Sequence, residues 1–241
     1  MKLRIKFAKT GVMRFVGHLD VMRYFQKAIR RAGIDIAYSG GFSPHQIMSF
    51  AAPLGLGLQS RGEYMDIEVN SYTSSEDMKQ RLNQTMVPGM EVLSVTMLGD
   101  QEKNAMASVA AAEYSVRFRK GCEPDFDWVS RLKLFYDKPS VMVTKQTKKS
   151  RLEVDLKPAI YSLSVSESAS DGRDRAEIRM FVDASSAGNV KPRMILEAFL
   201  AENGRTLDEA ALEITREDTY TNTGTAEQPV FVPLDAVGRA F

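Results

Sequence analysis

The sequence is poor in the residues that build disulfide frameworks and metal centres. Its 241 residues include one cysteine and two histidines, which excludes an internal disulfide and disfavours a zinc or iron–sulfur site. No apolar run approaches the roughly 20 residues that a membrane helix needs. The start, MKLRIKFAKTG, alternates charged and apolar residues and so lacks the apolar centre of a signal peptide. We therefore expect a cytoplasmic protein with no membrane contact, no metal and no cofactor.

An excess of charge of one sign is also absent. The chain has 32 basic and 31 acidic residues and a net charge of +1, so any attraction to nucleic acid must come from local patches. Hydrophobic residues make up 44% of the chain, which is enough to bury a core. The length fits one large domain or two of ordinary size.

The first half of the chain switches between two periodicities. Residues 2–9 alternate apolar and basic side chains, which predicts a half-buried strand. An apolar stripe with helical spacing follows, which Gly17 is expected to cap and Gly33 to end. Strands are then predicted at IDIAYS and GEYMDIEVN, followed by a helix that a Thr73–Glu76 capping box opens. A strand at MEVLSVTML closes the set.

This order of elements predicts an α+β protein with two ferredoxin-like (split βαβ) halves, the second elaborated with extra strands. The predicted parts are a first domain at 1–98 with a glycine-rich loop at 39–62, a linker at 99–111, a second domain at 112–220 and a C-terminal arm at 221–241. Within the second domain, Asp171-Gly172 is expected to supply the turn of a hairpin.

The loop SGGFSPHQIMSFAAPLGLG is the main candidate site. Its glycines allow backbone amides to approach a phosphate, although neither GxxxxGK[ST] nor GxGxxG occurs in a nucleotide-binding context. The side chains expected to pack inward are Phe42, Ile47, Phe50 and Leu54. The residues expected to line an anion-binding patch are Gly41, Ser43, His45 and Arg61, beside His18 at the start of the first helix. The alternative is a folded connector with structural histidines.

A second candidate is the basic stretch KQTKKSR, for which a solvated face is the plain alternative. Its cations are Lys145, Lys148, Lys149 and Arg151, which make it the best local candidate for phosphate contacts. The basic row at positions 2, 4 and 6 is different. In a ferredoxin-like sheet Asp66 and Glu68 face that row, and such opposite charges stabilise a sheet rather than bind RNA.

Several segments resemble a bacterial family, the radical-SAM-linked proteins. RFVGHLDVMRYFQKAIRRAGI and YSGGFSPHQIMSFAAPLGLGLQSRGEYMDIEV are similar to its N-terminal signature, and VTKQTKKSRLEVDLKP and NVKPRMILEAF fit its later part, so the resemblance spans most of residues 1–218. Gln46-Ile47 depart from the proline and lysine usual after the loop histidine, and Gly17 stands where serine is common. The resemblance implies a radical SAM protein as partner and a link to RNA or ribosome maturation, but it supplies no catalytic residue.

Three functions stay open at this point. The favoured one is a non-catalytic RNA-binding or adaptor partner of a radical SAM enzyme, because the chain has no CxxxCxxC to hold such a cluster itself. The second is a metal-independent RNA-processing enzyme, similar only in fold to repeat-associated endonucleases. In that case His45, His18 or Tyr38 would act as general acid or base. The third is a protein-interaction scaffold. No catalytic residue is assigned.

Overall fold

The computed structural model describes residues 1–146, 151–166 and 175–241 as an α+β fold. It divides into two compact units, the first made of residues 1–110 and 216–241 and the second of residues 111–215. No helix among these residues is both long enough and apolar enough to cross a membrane.

The first unit contains a mostly antiparallel sheet with helices and short connections around it. The central strand is β1, which pairs with β3 and with β4. Strand β2 also pairs with β3, and the C-terminal part of β10 lies beside β3. The elements are β1 (Lys2–Lys9), α1 (His18–Arg31), β2 (Met48–Phe50), β3 (Gln59–Glu68), α2 (Ser75–Asn83), β4 (Met90–Met97), α3 (Ala105–Ser108), β10 (Leu212–Asn222) and β11 (Phe231–Pro233).

The core of this unit lies between one face of the sheet and α1. Leu3, Ile5 and Phe7 are all buried, as the alternation along β1 predicts. Helix α1 brings its apolar stripe onto them, and the rings of Phe7 and Phe25 meet edge to face with their centroids 4.7 Å apart. Gly17 caps this helix, and Gly33, with φ of +62°, allows the chain to leave it as predicted.

Two predicted elements differ in the structure. Residues 34–39 form only isolated bridges, because Ile47 donates its amide to Ala37 and the chain folds back on itself. Strand β2 takes the place beside β3 instead. Helix α2 is capped by Ser74 rather than by Thr73, because the Ser74 hydroxyl accepts the Asp77 amide at 3.2 Å.

The second unit is built on strands β5, β9 and β8, which form successive antiparallel pairs, and on the separate hairpin of β6 and β7. The predicted Asp171-Gly172 turn between β8 and β9 lies outside the described residues. Pro192 opens the last helix as expected. The elements are β5 (Ala111–Phe118), α4 (Trp128–Tyr136), β6 (Met142–Gln146), β7 (Arg151–Asp155), β8 (Ile160–Ser166), β9 (Glu177–Asp183) and α5 (Pro192–Glu202).

The C-terminal residues fold back onto the first unit. Strand β11 pairs with β10, and Leu234, just after it, is completely buried. The backbones of Met97 and Arg239 exchange hydrogen bonds of 2.8 and 3.0 Å. The ring of Phe241 packs edge to face on Tyr72. The segment that the sequence presents as an arm therefore contributes to the packing of this unit.

Candidate functional site

Helix α1 presents a cationic face to solvent on the side opposite its core stripe. Lys27, Arg30 and Arg31 are exposed and surround an open depression. Within the described ranges none of these three side chains forms an ion pair; the guanidinium of Arg30 donates only a long 3.4 Å bond to the Gln26 carbonyl. Arg23 on the same helix differs, because it pairs with Asp20 at 3.3 Å. The three cations thus keep their charge available for a partner.

The glycine-rich loop lies next to this helix and exposes aromatic rings. Phe42 is fully exposed and Tyr38 is half exposed. The prediction that Phe42 packs inward is therefore wrong, whereas Phe50 is buried as expected, and Ile47 and Leu54 are half-buried. The physical reason is that residues 39–45 close on themselves, since Ser39 donates its amide to the His45 carbonyl at 2.9 Å. The tip of the loop then has no core to reach.

Gln46 joins the loop to the helix. Its side chain is buried and its Nε2 atom donates to the Gln26 carbonyl at 3.2 Å, with the Tyr38 hydroxyl 3.5 Å away. The same Gln26 carbonyl accepts the Arg30 guanidinium. The exposed ring of Tyr38, through Gln46, and the guanidinium of Arg30 therefore both lie close to the Gln26 carbonyl of α1. The sequence offered one signal for this, the unusual Gln46 after His45, but it could not show what the amide contacts.

The residues predicted from the sequence to form an anion patch are distributed over different surroundings. Gly41, Ser43 and His45 are exposed on the loop, and the His45 ring lies 2.9 Å from the Ser39 hydroxyl. Arg61 pairs with Glu217 at 3.0 Å. His18 packs edge to face on Phe50, with ring centroids 5.1 Å apart. The cleft that His18 lines contains, among the residues described, none of the other four.

The basic stretch of the second unit is only partly described. Lys148 and Lys149 lie outside the described residues. Lys145 is on β6 opposite Leu152, and Arg151 begins β7 opposite Gln146. The register agrees with the predicted flanking strands, and the proposal that these four cations contact phosphate stays a prediction.

A cleft below the first turn of α1 holds charged groups that sequence patterns did not single out. It is lined by Lys9, His18, Glu63 and the apolar side chains of Phe7, Val21, Phe50, Pro53 and Leu54. The carboxylate of Glu63 pairs with Arg216, whose Nε and Nη2 atoms donate hydrogen bonds of 2.9 and 2.6 Å to its two oxygens. Arg216 also donates to the Ala52 carbonyl. Because Arg216 lies 153 positions from Glu63, no local pattern could have predicted the pair.

Lys9 is the unusual member of this cleft. Its residue is 3% exposed, yet its ammonium forms no hydrogen bond or ion pair with any residue that the structure describes. Burial lowers the pKa of Lys9, and the charge of Arg216 lowers it further, while Glu63 opposes the change. A lysine buried without a hydrogen bond to its ammonium is costly, and the charge of Glu63 offsets only part of the cost of burial, since the pKa of Lys9 stays lowered.

The opposite face of the same strands carries buried charges that are all paired. Arg4 binds both oxygens of Asp66, at 2.8 and 3.0 Å, which confirms the cross-strand pairing predicted for this row. Lys6 binds Asp218 at 2.6 Å. The Tyr64 hydroxyl contacts Asp218 at 2.7 Å and Asp235 at 3.1 Å. Burial raises the pKa of Tyr64 well above its usual range, and the two carboxylates add to the effect.

Comparisons with known proteins place the chain in a family. No curated protein matches it. Among solved structures, a chain from the crystal structure of a Cbf5–Nop10–Gar1 complex is similar with a TM-score of 0.49 and 12% identity, over 90% of this chain and 48% of that chain. The chain thus spans about half the length of that protein, and a likeness this distant supports no argument. The family model described as uncharacterized protein conserved in bacteria (DUF2344) matches residues 2–192, and the chain belongs to that family.

Proposed function

We propose that this protein binds RNA without cutting it and acts in the cytoplasm as an adaptor for a radical SAM enzyme. The fold that carries this function is inferred to be a pair of ferredoxin-like halves. The support comes from the first unit, where β4, β1, β3 and β2 neighbour one another in the order of a split βαβ unit. The RNA-binding surface is the cationic face of α1 together with the aromatic tip of the loop at residues 38–45.

The observation that carries the proposal is that three cations, which form no ion pair among the described residues, lie next to exposed aromatic rings. Lys27, Arg30 and Arg31 offer charge for phosphates, and Tyr38 and Phe42 offer faces on which unstacked bases can stack. Gln46 holds the loop against the helix through the Gln26 carbonyl, so both features belong to one surface. A fully exposed phenylalanine contributes little to the stability of the fold, whereas an exposed aromatic ring is what a base-stacking site uses.

The adaptor part of the proposal rests on the resemblance to radical-SAM-linked proteins. The chain itself has one cysteine and so cannot ligate an iron–sulfur cluster of the radical SAM kind. A protein that binds RNA and holds no radical SAM cluster of its own fits the role of presenting RNA to a separate enzyme. Affinity purification from bacterial lysate, with and without ribonuclease, tests this. Recovery of a radical SAM protein in both samples supports direct contact, and its absence from both contradicts the adaptor role.

Titration of labelled single-stranded RNA at several salt concentrations tests the surface. The triple variant Lys27→Gln, Arg30→Gln, Arg31→Gln should bind more weakly, and the slope of log affinity against log salt should fall by about 2, at roughly 0.7 per phosphate contact on a single strand. Phe42→Ser should lose about 1 to 3 kcal/mol of binding free energy per stacked base.

The matched control is Arg205→Gln. Arg205 is also exposed, but it pairs with Asp125 at 2.9 Å, and its loss should leave RNA affinity unchanged. Equal binding by the triple variant and the unaltered protein would overturn the proposed surface. Cleavage of the RNA by the purified protein, lost in His45→Ala, would instead support the RNA-processing enzyme.

A further inference from the structure

The cleft below α1 is a second feature whose chemistry is independent of the RNA-binding surface. The cleft combines a buried lysine without a hydrogen bond among the described residues, a neighbouring carboxylate that is paired with Arg216, and the first turn of a 14-residue helix as one wall. All of the side chains concerned belong to the first unit.

The local charge of the cleft is positive. Lys9 and Arg216 carry two positive charges against the single negative charge of Glu63, whose two oxygens Arg216 binds, so the group keeps one excess positive charge. The first amides of a helix have no partner within the helix and carry partial positive charge. His18, which lines the cleft, is the first residue of α1, whereas the amides of Asp20 and Val21 already donate to the Gly17 carbonyl. Both features favour a negatively charged group in front of Lys9.

The size of the cleft limits what can enter it. The space open to water is about 10 Å³, which accommodates one water-sized group. One oxygen of a carboxylate fills it while the rest of the ligand stays at the mouth of the cleft, where a tetrahedral phosphate is more crowded. Its apolar walls, among them Phe50 and Leu54, suit the carbon atoms next to the carboxylate.

We propose that the cleft is a binding site for the carboxylate end of a small organic acid, with the Lys9 ammonium and the first-turn amides of α1 as its polar contacts. The ligand oxygen supplies the hydrogen bond that the ammonium lacks, at roughly twice the strength of a hydrogen bond between neutral groups. Pro53 and Leu54, which lie outside any helix or strand, form the side of the cleft from which the ligand enters.

The site is tested by titrating the protein with sodium acetate at constant ionic strength and following the backbone amide signals of residues 18–20 by NMR. The account predicts a saturable shift in the unaltered protein and at least a tenfold loss of affinity in Lys9→Met. Inorganic phosphate should bind more weakly than acetate. Lys2→Met is the matched control, since Lys2 lies on the same strand and is exposed; it should bind acetate normally.

The outcomes that overturn the proposal are distinct from a failure of RNA binding. Absence of saturable acetate binding to the unaltered protein, or undiminished binding to Lys9→Met, contradicts the site. Stronger binding of phosphate than acetate contradicts the carboxylate assignment. If Lys9→Met does not fold, Lys9→Arg keeps the charge but displaces it, and unchanged acetate affinity in that variant also contradicts the site. None of these results depends on residues 27–31 or on Phe42.

Discussion

Arg4 and Lys9 lie near the two ends of the same strand, and both are buried, but their charges have different surroundings. Arg4 donates to Asp66 twice, to the Leu234 carbonyl and to the Lys103 carbonyl, all at 2.8 to 3.0 Å. Lys9 has no such partner among the described residues. An ion removed from water costs several kcal/mol unless hydrogen bonds and an opposite charge replace its hydration. Burial of Arg4 with its partners therefore stabilises the fold, whereas burial of the Lys9 charge destabilises it.

Removing the partner of Arg4 should have the largest effect. In Asp66→Asn the Arg4 guanidinium stays buried without its countercharge, and the Ala105 amide loses a carboxylate acceptor. We expect the free energy of unfolding to fall by about 3 to 5 kcal/mol, measured by chemical denaturation. Glu68→Gln on the same strand, opposite the exposed Lys2, should change stability by less than about 0.5 kcal/mol. Equal effects of the two changes would show that the Arg4 pair does not stabilise the fold.

The hydroxyl of Tyr64 should have a smaller effect. It bridges Asp218 of β10 and Asp235 of the C-terminal segment, and Tyr64→Phe removes both contacts while keeping the ring. We expect a loss of about 1 to 3 kcal/mol in the free energy of unfolding. Tyr72→Phe provides the comparison, because the Tyr72 ring packs on Phe241 and is partly exposed. A Tyr64→Phe variant as stable as Tyr72→Phe would mean that the bridge is not a determinant of stability.

Sequence reasoning was successful where the pattern is local. The alternation along residues 2–9 predicts β1 and its buried face, and the expected strand order correctly places Asp66 opposite Arg4. The same two-residue period places Lys9 on the face that carries Leu3, Ile5 and Phe7. A single basic residue in an apolar row was therefore the available signal for the cleft.

The remaining features depend on contacts that no local pattern encodes. Arg216 and Asp218 come from β10, more than 150 positions away from Glu63 and Tyr64, and only the folded sheet brings them together. Phe42 was predicted inside because it is apolar. Its exposure follows from the closure of residues 39–45 by hydrogen bonds between Ser39 and His45, which composition does not reveal.

The most direct test of the contrast between Arg4 and Lys9 is the free energy of unfolding of Lys9→Met relative to the unaltered protein, measured at pH 7 and near pH 10.5 without carboxylate buffers. Burial lowers the pKa of Lys9 from 10.5 in the folded state. The destabilising contribution of Lys9 therefore shrinks as the pH rises towards 10.5, where the unfolded chain also loses this proton, and the comparison with Lys9→Met cancels the titration of every other group. We predict that Lys9→Met is at least as stable as the unaltered protein at pH 7, and that its advantage shrinks near pH 10.5. A variant that is less stable at pH 7 by more than about 1 kcal/mol, the net worth of an ordinary hydrogen bond, would show that Lys9 holds the fold as Arg4 does, and would contradict the account.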